Sequence, residues 1–257
     1  MKKLFTTVLA AALSGLVATA NAGDWKEVRI GVEGAYPPFS AITESGQLVG
    51  FDIDIAIALC NEMGVECSLV PQDWDGIIPA LLAKKYDAIL ASMSITEERK
   101  KKVAFTGKYY NSKAFFAAPK GANISLTKEG LAGKTVGVQR ATTHDNFITA
   151  EFGDAVTVKR YGTQDEAYLD AVAGRVDLLL ADGIAMDEGF VATEQGAGWE
   201  LIGEGYSDPA YFGEGAGIAI RKEDTDLVEM FNNAIQAIRA NGVYKKINDK
   251  YFAIDIY

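Results

Sequence analysis

The chain is short of the residues on which most metal and nucleophilic chemistry depends. His144 is its one histidine, and Cys60 and Cys67 are its two cysteines. That set cannot supply a four-ligand zinc shell, so no metal is expected. The histidine has no G-x-S-x-G serine to pair with, and both cysteines look bridged, so no nucleophile–base pair is visible. Nothing calls for a cofactor. Long apolar runs are also missing. Beyond the N-terminus no stretch approaches the roughly 20 apolar residues that cross a bilayer. Basic residues are outnumbered, 25 to 35. Such a balance argues against nucleic acid or an anionic membrane as partner, because both reward clustered Lys and Arg.

What is present begins with an address. Lys2 and Lys3 precede an uncharged stretch from Leu4 to Ala20, and Ala20-Asn21-Ala22 reads as a cleavage site. Residues 1–22 are therefore expected to be an export signal, cut after Ala22, with no nearby cysteine to carry a lipid. Removing its two lysines leaves 23 basic against 35 acidic residues, a net charge of −12. Export to an oxidising compartment makes Cys60 and Cys67, seven apart across an apparent helix end at Gly64, a plausible disulfide. With 257 residues and 49% hydrophobic content, one large or two medium domains can be filled.

Strand and helix signals alternate. Val28–Val32 reads as a strand, followed by a loop holding Glu33, Tyr36 and two prolines, then a hairpin tip at Gly46. A helix opens near Asp52, with apolar residues at Ile55, Leu59 and Met63 and a stop at Gly64. Asp52 suits the helix N-cap better than a ligand contact. Val65–Val70 is a second strand, Trp74 lies in a loop, and Ile77, Ile78, Leu81 and Leu82 form a helix face. A second series runs through strands at 134–138, 156–161 and 176–181 with helices at 144–152 and 165–173. FGEGAGIAI then reads as a strand returning to the first lobe, with a helix over 225–241 behind it. The alternation predicts parallel α/β sheets.

One stretch, Tyr86 to Arg99 (YDAILASMSITEER), stands out. A buried strand ends in Ser92, Ser94 and Thr96, with Arg99 just beyond. Hydroxyls and N–H groups at a strand end, beside a guanidinium, can hold a small carboxylate. The same residues would also serve as a helix cap with a surface arginine. The stretch has an echo: LLAKKYDAILAS (81–92) aligns without gaps on AVAGRVDLLLAD (171–182), placing Asp87 on Asp177 and Ser92 on Asp182. Two lobes of similar topology would bring Ser92 and Asp182 together across a cleft, because ligands of open α/β sheets sit at the carboxyl ends of strands.

Together, IGVEGAYPPFS, GFDIDIA, WDGIIPAL, YDAILASMSITEER, GRVDLLLAD, YFGEGAGIAIRKED and KKINDKYF span the mature chain. They resemble the family 3 periplasmic solute-binding proteins of polar amino-acid ABC importers. Within it the chain is most similar to binders of lysine, arginine, ornithine and histidine, particularly the arginine/ornithine type. The resemblance implies a type II two-lobed fold, with residues 23–112 and 208–257 in one lobe and 113–207 in the other. Hinges would fall near 110–114 and 206–212. It implies a soluble, monomeric periplasmic protein that closes on a free cationic amino acid and delivers it to a membrane permease. Arg99 would hold the α-carboxylate, aided by Ser92 and the N–H near Thr143, and Asp182 would take the α-ammonium beside Ser92 or Ser94. Tyr36 and Trp74 would sandwich the ligand stem and Glu33 would meet its cationic end. Ala91, Met93, Gln139, Thr142 and His144 complete the expected lining. Four positions depart from the relatives' pattern: Ala91 where serine is common, His144 for glutamine, Gln139 for leucine, and Glu33 for a shorter aspartate. They leave open a neutral polar amino acid or an opine as ligand, and a dehydratase-like enzyme on the same fold remains the rival activity.

Overall fold

The computed structural model describes residues 25–257. The expected signal segment and its cleavage point lie outside the described residues. Strands are numbered in chain order. The chain starts with β1 (Glu27–Val32) and a small antiparallel trio, β2 (Ala35–Tyr36), β3 (Ser40–Ile42) and β4 (Leu48–Val49). It continues through β5 (Glu66–Pro71), β6 (Ala88–Ile89) and β7 (Ala104–Tyr110). Next come β8 (Ala114–Pro119), β9 (Thr135–Gln139), β10 (Thr157–Tyr161), β11 (Leu178–Asp182) and β12 (Trp199–Tyr206). The last is β13 (Ala216–Ile220).

These strands form two five-stranded sheets of matching design, ordered β5-β1-β6-β13-β7 and β10-β9-β11-β8-β12. In each, three strands run parallel, the fourth is reversed, and the fifth turns back again. The reversed strand is in both cases the one entering from the other sheet: β8 follows β7 and β13 follows β12. β13 packs as an inner strand between β6 and β7, so the Gly-spaced FGEGAGIAI segment does return to the first sheet.

The internal echo has a structural counterpart. Asp87 donates its N–H to the Arg29 carbonyl and its carboxylate accepts the Arg29 N–H. Asp177 makes the same two bonds to Thr135. Each aspartate locks the register of a central strand against its parallel neighbour, which aims the strand's far end at the cleft.

Amphipathic helices cover the sheets. In helix Thr225–Ala240, Leu227, Phe231, Ala234, Ile235 and Ile238 recur at helical spacing and are buried against the first lobe. An aromatic cluster, Phe39, Phe51, Tyr109, Tyr110 and Phe252, fills that lobe's core. Helix Ile77–Leu82 buries Ile77 and Leu81 but leaves Leu82 47% exposed, so its apolar face is narrower than the sequence suggests. Helix Phe51–Met63 stops at Gly64, whose φ of 68° is left-handed, and the Cys60–Cys67 disulfide ties its last turn to β5.

Candidate functional site

Four parallel-strand ends converge on the space between the lobes. β1 delivers Glu33, β6 delivers Ala91 and Ser92, β9 delivers Gln139 and β11 ends in Asp182. Between them lies a cavity with an empty volume of about 310 Å³, lined by Glu33, Tyr36, Trp74, Ala91, Ser92, Ser94, Arg99, Gln139, Thr142, Thr143 and His144. A second compartment of about 400 Å³ shares Tyr36, Ser92, Ser94, Thr143 and His144 with the first and adds Asp182 and Ser112. The cleft is closed over this space by bonds from lobe to lobe. Gln139 Nε2 donates to Glu33 Oε1, Trp74 Nε1 donates to the Ala141 carbonyl (3.2 Å), and Arg140 pairs with Asp75.

Charge inside the cleft is uncompensated. Glu33 is 8% exposed, and the polar partner it has is Gln139, whose amide also donates to the Gly162 carbonyl. Burial pushes its pKa up to about 8, with the Asp165, Asp52 and Asp73 charges adding to the rise. Asp182 caps the short helix Gly183–Met186. Its Oδ1 accepts from the N–H groups of Ile184 and Ala185 and from the Ser112 hydroxyl, which leaves Oδ2 free to face the cavity. Burial raises its pKa to about 6. Arg99 donates to the Ser94 carbonyl (3.0 Å) and lies over the Trp74 ring, 5.2 Å from its centre. Burial lowers its pKa to about 10. Among the described residues none of these three charges has an oppositely charged partner within 4 Å.

Backbone donors supplement Arg99. Thr142 caps helix Thr143–Phe152 by accepting the Asp145 N–H, while its hydroxyl donates to the Gln139 carbonyl. The N–H groups of Thr143 and His144 stand in the first turn, where a helix has no internal acceptor for them. His144 itself, packed on Phe212 with Arg99 nearby, is held neutral, its pKa lowered by burial to about 3.

Two expected site residues lie elsewhere. Met93 does not line either compartment; it is fully buried in the first lobe's core and accepts the Gly217 N–H through its carbonyl. The chain turns at Ser92, whose φ is 51°, and leaves that turn with Met93 packed into the core while Ser92 and Ser94 line the cleft. Asp52 is not the helix N-cap. Gly50 holds that position, and Asp52, 0% exposed, accepts hydrogen bonds from Ser92 Oγ and the Tyr109 hydroxyl behind the cavity wall. Sequence reading passed over Ser112, Tyr109 and the Arg140–Asp75 pair. Their roles arise from residues 17 to 70 apart in the chain, which no local pattern carries.

A two-lobed α/β fold with strand-end polar groups facing an inter-lobe cleft defines a binding protein of the periplasmic type. The bacterial extracellular solute-binding proteins, family 3, match this chain over residues 28–254, and the chain belongs to that family. It is 52% identical to the L-arginine-binding protein of Pseudomonas aeruginosa, over all of this chain and 99% of that one. It is 38% identical to the histidine-binding periplasmic protein of Escherichia coli K12, over 100% and 99% of the two chains. An ancestral arginine-binding protein bound to arginine superposes with a TM-score of 0.81 at 38% identity, covering 89% of this chain and 99% of that one.

Proposed function

We propose that this chain binds a cationic L-amino acid in the cleft between its lobes, in the periplasm, and presents it to the membrane permease of an ABC importer. The observation that carries the reading is the charge inventory of the cleft: one unpaired cation, Arg99, and two unpaired carboxylates, Asp182 and Glu33. An amino acid with a basic side chain carries the complement, one carboxylate and two cations. Arg99 with the N–H groups of Thr143 and His144 takes the α-carboxylate, Asp182 Oδ2 takes the α-ammonium, and Glu33 takes the side-chain cation. Each such charge-assisted bond contributes about 1.5–3 kcal/mol. Tyr36 and Trp74 wall the stem, and Ala91 and Gln139 shape its far end. Arginine ranks first among the ligands, in keeping with the name of the 52% identical relative.

The lobes comprise residues 23–112 with 208–257, and 113–207, hinged near 110–114 and 206–212, and the protein acts as a monomer. Release of the cationic ligand follows opening about these two crossings. No chemical step is assigned to the site. Thermal-shift measurements against the twenty amino acids plus ornithine test the reading. Arginine, ornithine or lysine is expected to give the largest rise in Tm. A larger rise with glutamine or an acidic amino acid would overturn the cationic assignment.

A further inference from the structure

Behind the cleft wall sits a carboxylate with no place in the charge inventory above. Asp52 is completely buried, at the second position of helix Phe51–Met63, and does not touch either compartment. Each of its oxygens accepts one hydrogen bond. Ser92 Oγ donates to Oδ2 (3.0 Å), and the Tyr109 hydroxyl donates to Oδ1 (2.9 Å). That same tyrosine oxygen accepts the Ser92 backbone N–H (3.0 Å), closing a ring of three residues. The ring holds Ser92 at φ 51°, a left-handed conformation that a non-glycine residue adopts only when its surroundings enforce it.

The consequence is a matter of proton counting. Serine offers two donors, its N–H and its O–H, and here both are spent on Tyr109 and Asp52. What remains toward the cavity is the lone-pair side of Oγ, an acceptor. Ser92 lines the compartment that also contains Asp182, whose Oδ2 is free. These two acceptors suit an ammonium and repel a carboxylate. We propose that Asp52 is a positioning residue for amino-acid recognition: by taking the hydroxyl proton of Ser92 it fixes that hydroxyl as an acceptor for the ligand α-ammonium. This assigns Ser92 to the ammonium and withdraws it from the α-carboxylate, which is left to Arg99 and the helix N–H groups.

The inference rests on the amino-acid-binding reading and extends to whichever amino acid the cleft takes, since the α-ammonium is common to all. The groups facing Asp52 are Ser92 from the β6 end, Tyr109 and Tyr110 from β7, Tyr244 from helix Val243–Tyr251, Glu33 from the β1 end, and across the cleft Asp182. None is a cation. Burial in these surroundings raises the Asp52 pKa to about 7, so acid would return a proton to the ring and let the Ser92 hydroxyl reverse.

Asp52→Asn keeps the shape but places an NH₂ against Ser92 Oγ, inverting its polarity. Isothermal titration is run with arginine and with 5-guanidinopentanoate, which is arginine without its α-ammonium. The variant should bind arginine about 10- to 100-fold more weakly, the equivalent of one charge-assisted bond. Its affinity for the des-amino analogue should stay within about threefold of the wild type, a split that general damage to the cleft would not produce. In a Ser92→Ala background the Asn substitution should have no further effect on arginine. If Asp52→Asn does not fold, Ser92→Ala removes the acceptor hydroxyl itself and carries the same comparison of the two ligands. Equal losses for both ligands, or an undiminished arginine affinity, overturn the proposal. Wild-type protein that ignores cationic amino acids but binds another amino acid would overturn only the cationic reading, and the ligand pair is then built on that amino acid.

Discussion

Replacing Glu33 with glutamine removes the carboxylate at the far end of the cleft while leaving its volume and its contact with Gln139 largely in place. Burial in the closed cleft raises the Glu33 pKa from 4.5 to about 8, and the neighbouring acids add to the rise. A raised pKa means that the neutral form is favoured in the closed chain. The stability it contributes is complete below the ordinary value of 4.5 and is lost as pH rises through about 8. Binding a cation demands the ionised form, so ligand entry must expel the proton. Arginine affinity is therefore expected to rise with pH, by at most about tenfold per unit, and to level off above about pH 8. Near pH 8, Glu33→Gln should lose about 1.5–3 kcal/mol, roughly 10- to 150-fold in Kd, for arginine, lysine and ornithine, while binding of a neutral amino acid changes little. The variant should also lose the upper part of the pH dependence, retaining the parts below about 7 and about 6 that belong to Asp52 and Asp182. Titration calorimetry across this range, in buffers of different ionisation enthalpy, counts the protons released. A flat wild-type profile together with a Glu33→Gln affinity within about threefold would refute the assignment of Glu33 to the ligand cation.

Arg99→Lys should not rescue Arg99→Ala: both should lower affinity for every α-amino acid by about 100-fold or more, because a lysine cannot supply the paired guanidinium bonds. Near-normal arginine binding by Arg99→Ala, measured by calorimetry, would show that the carboxylate sits elsewhere. Gly189→Ala tests closure itself. A Cβ there would stand 2.4 Å from the Pro37 carbonyl on the other lobe, so full closure should be blocked and arginine affinity should fall about tenfold, with the Tm of the empty protein unchanged. Unaltered affinity would mean that the bound state does not bring these lobes into contact. Reduction of Cys60–Cys67 should lower unfolding free energy by about 2–3 kcal/mol, as closing a loop of this length predicts, and denaturant midpoints with and without reductant report it.

Much of this molecule is readable in its residues because the decisive signals are local. Alternating strand and helix periods name the sheet class, Gly64 stops its helix, and the echo between Tyr86–Ser92 and Val176–Asp182 exposes two lobes of one design. Arg99, Ser92, Asp182 and Glu33 can be singled out because strand ends in such sheets are where polar groups face a ligand. The same reasoning failed at Met93 and Asp52. Each carries a local pattern that fits a site or a cap, and each was decided by which way the packed chain turned it.

What required the tertiary structure is the pairing of groups far apart in the chain. Gln139 meets Glu33 across 106 residues, and Arg140 meets Asp75 across 65. Ser92 reaches Asp52 across 40. Hydrogen-bond polarity at Ser92 depends on that last contact, and composition or spacing cannot reveal it, because a hydroxyl donates or accepts according to the neighbour that claims its proton. Residue types and their spacing thus set the fold and the charges that the cleft carries. Only the folded chain decides which of those charges remain unpaired, and so which end of a ligand each one meets.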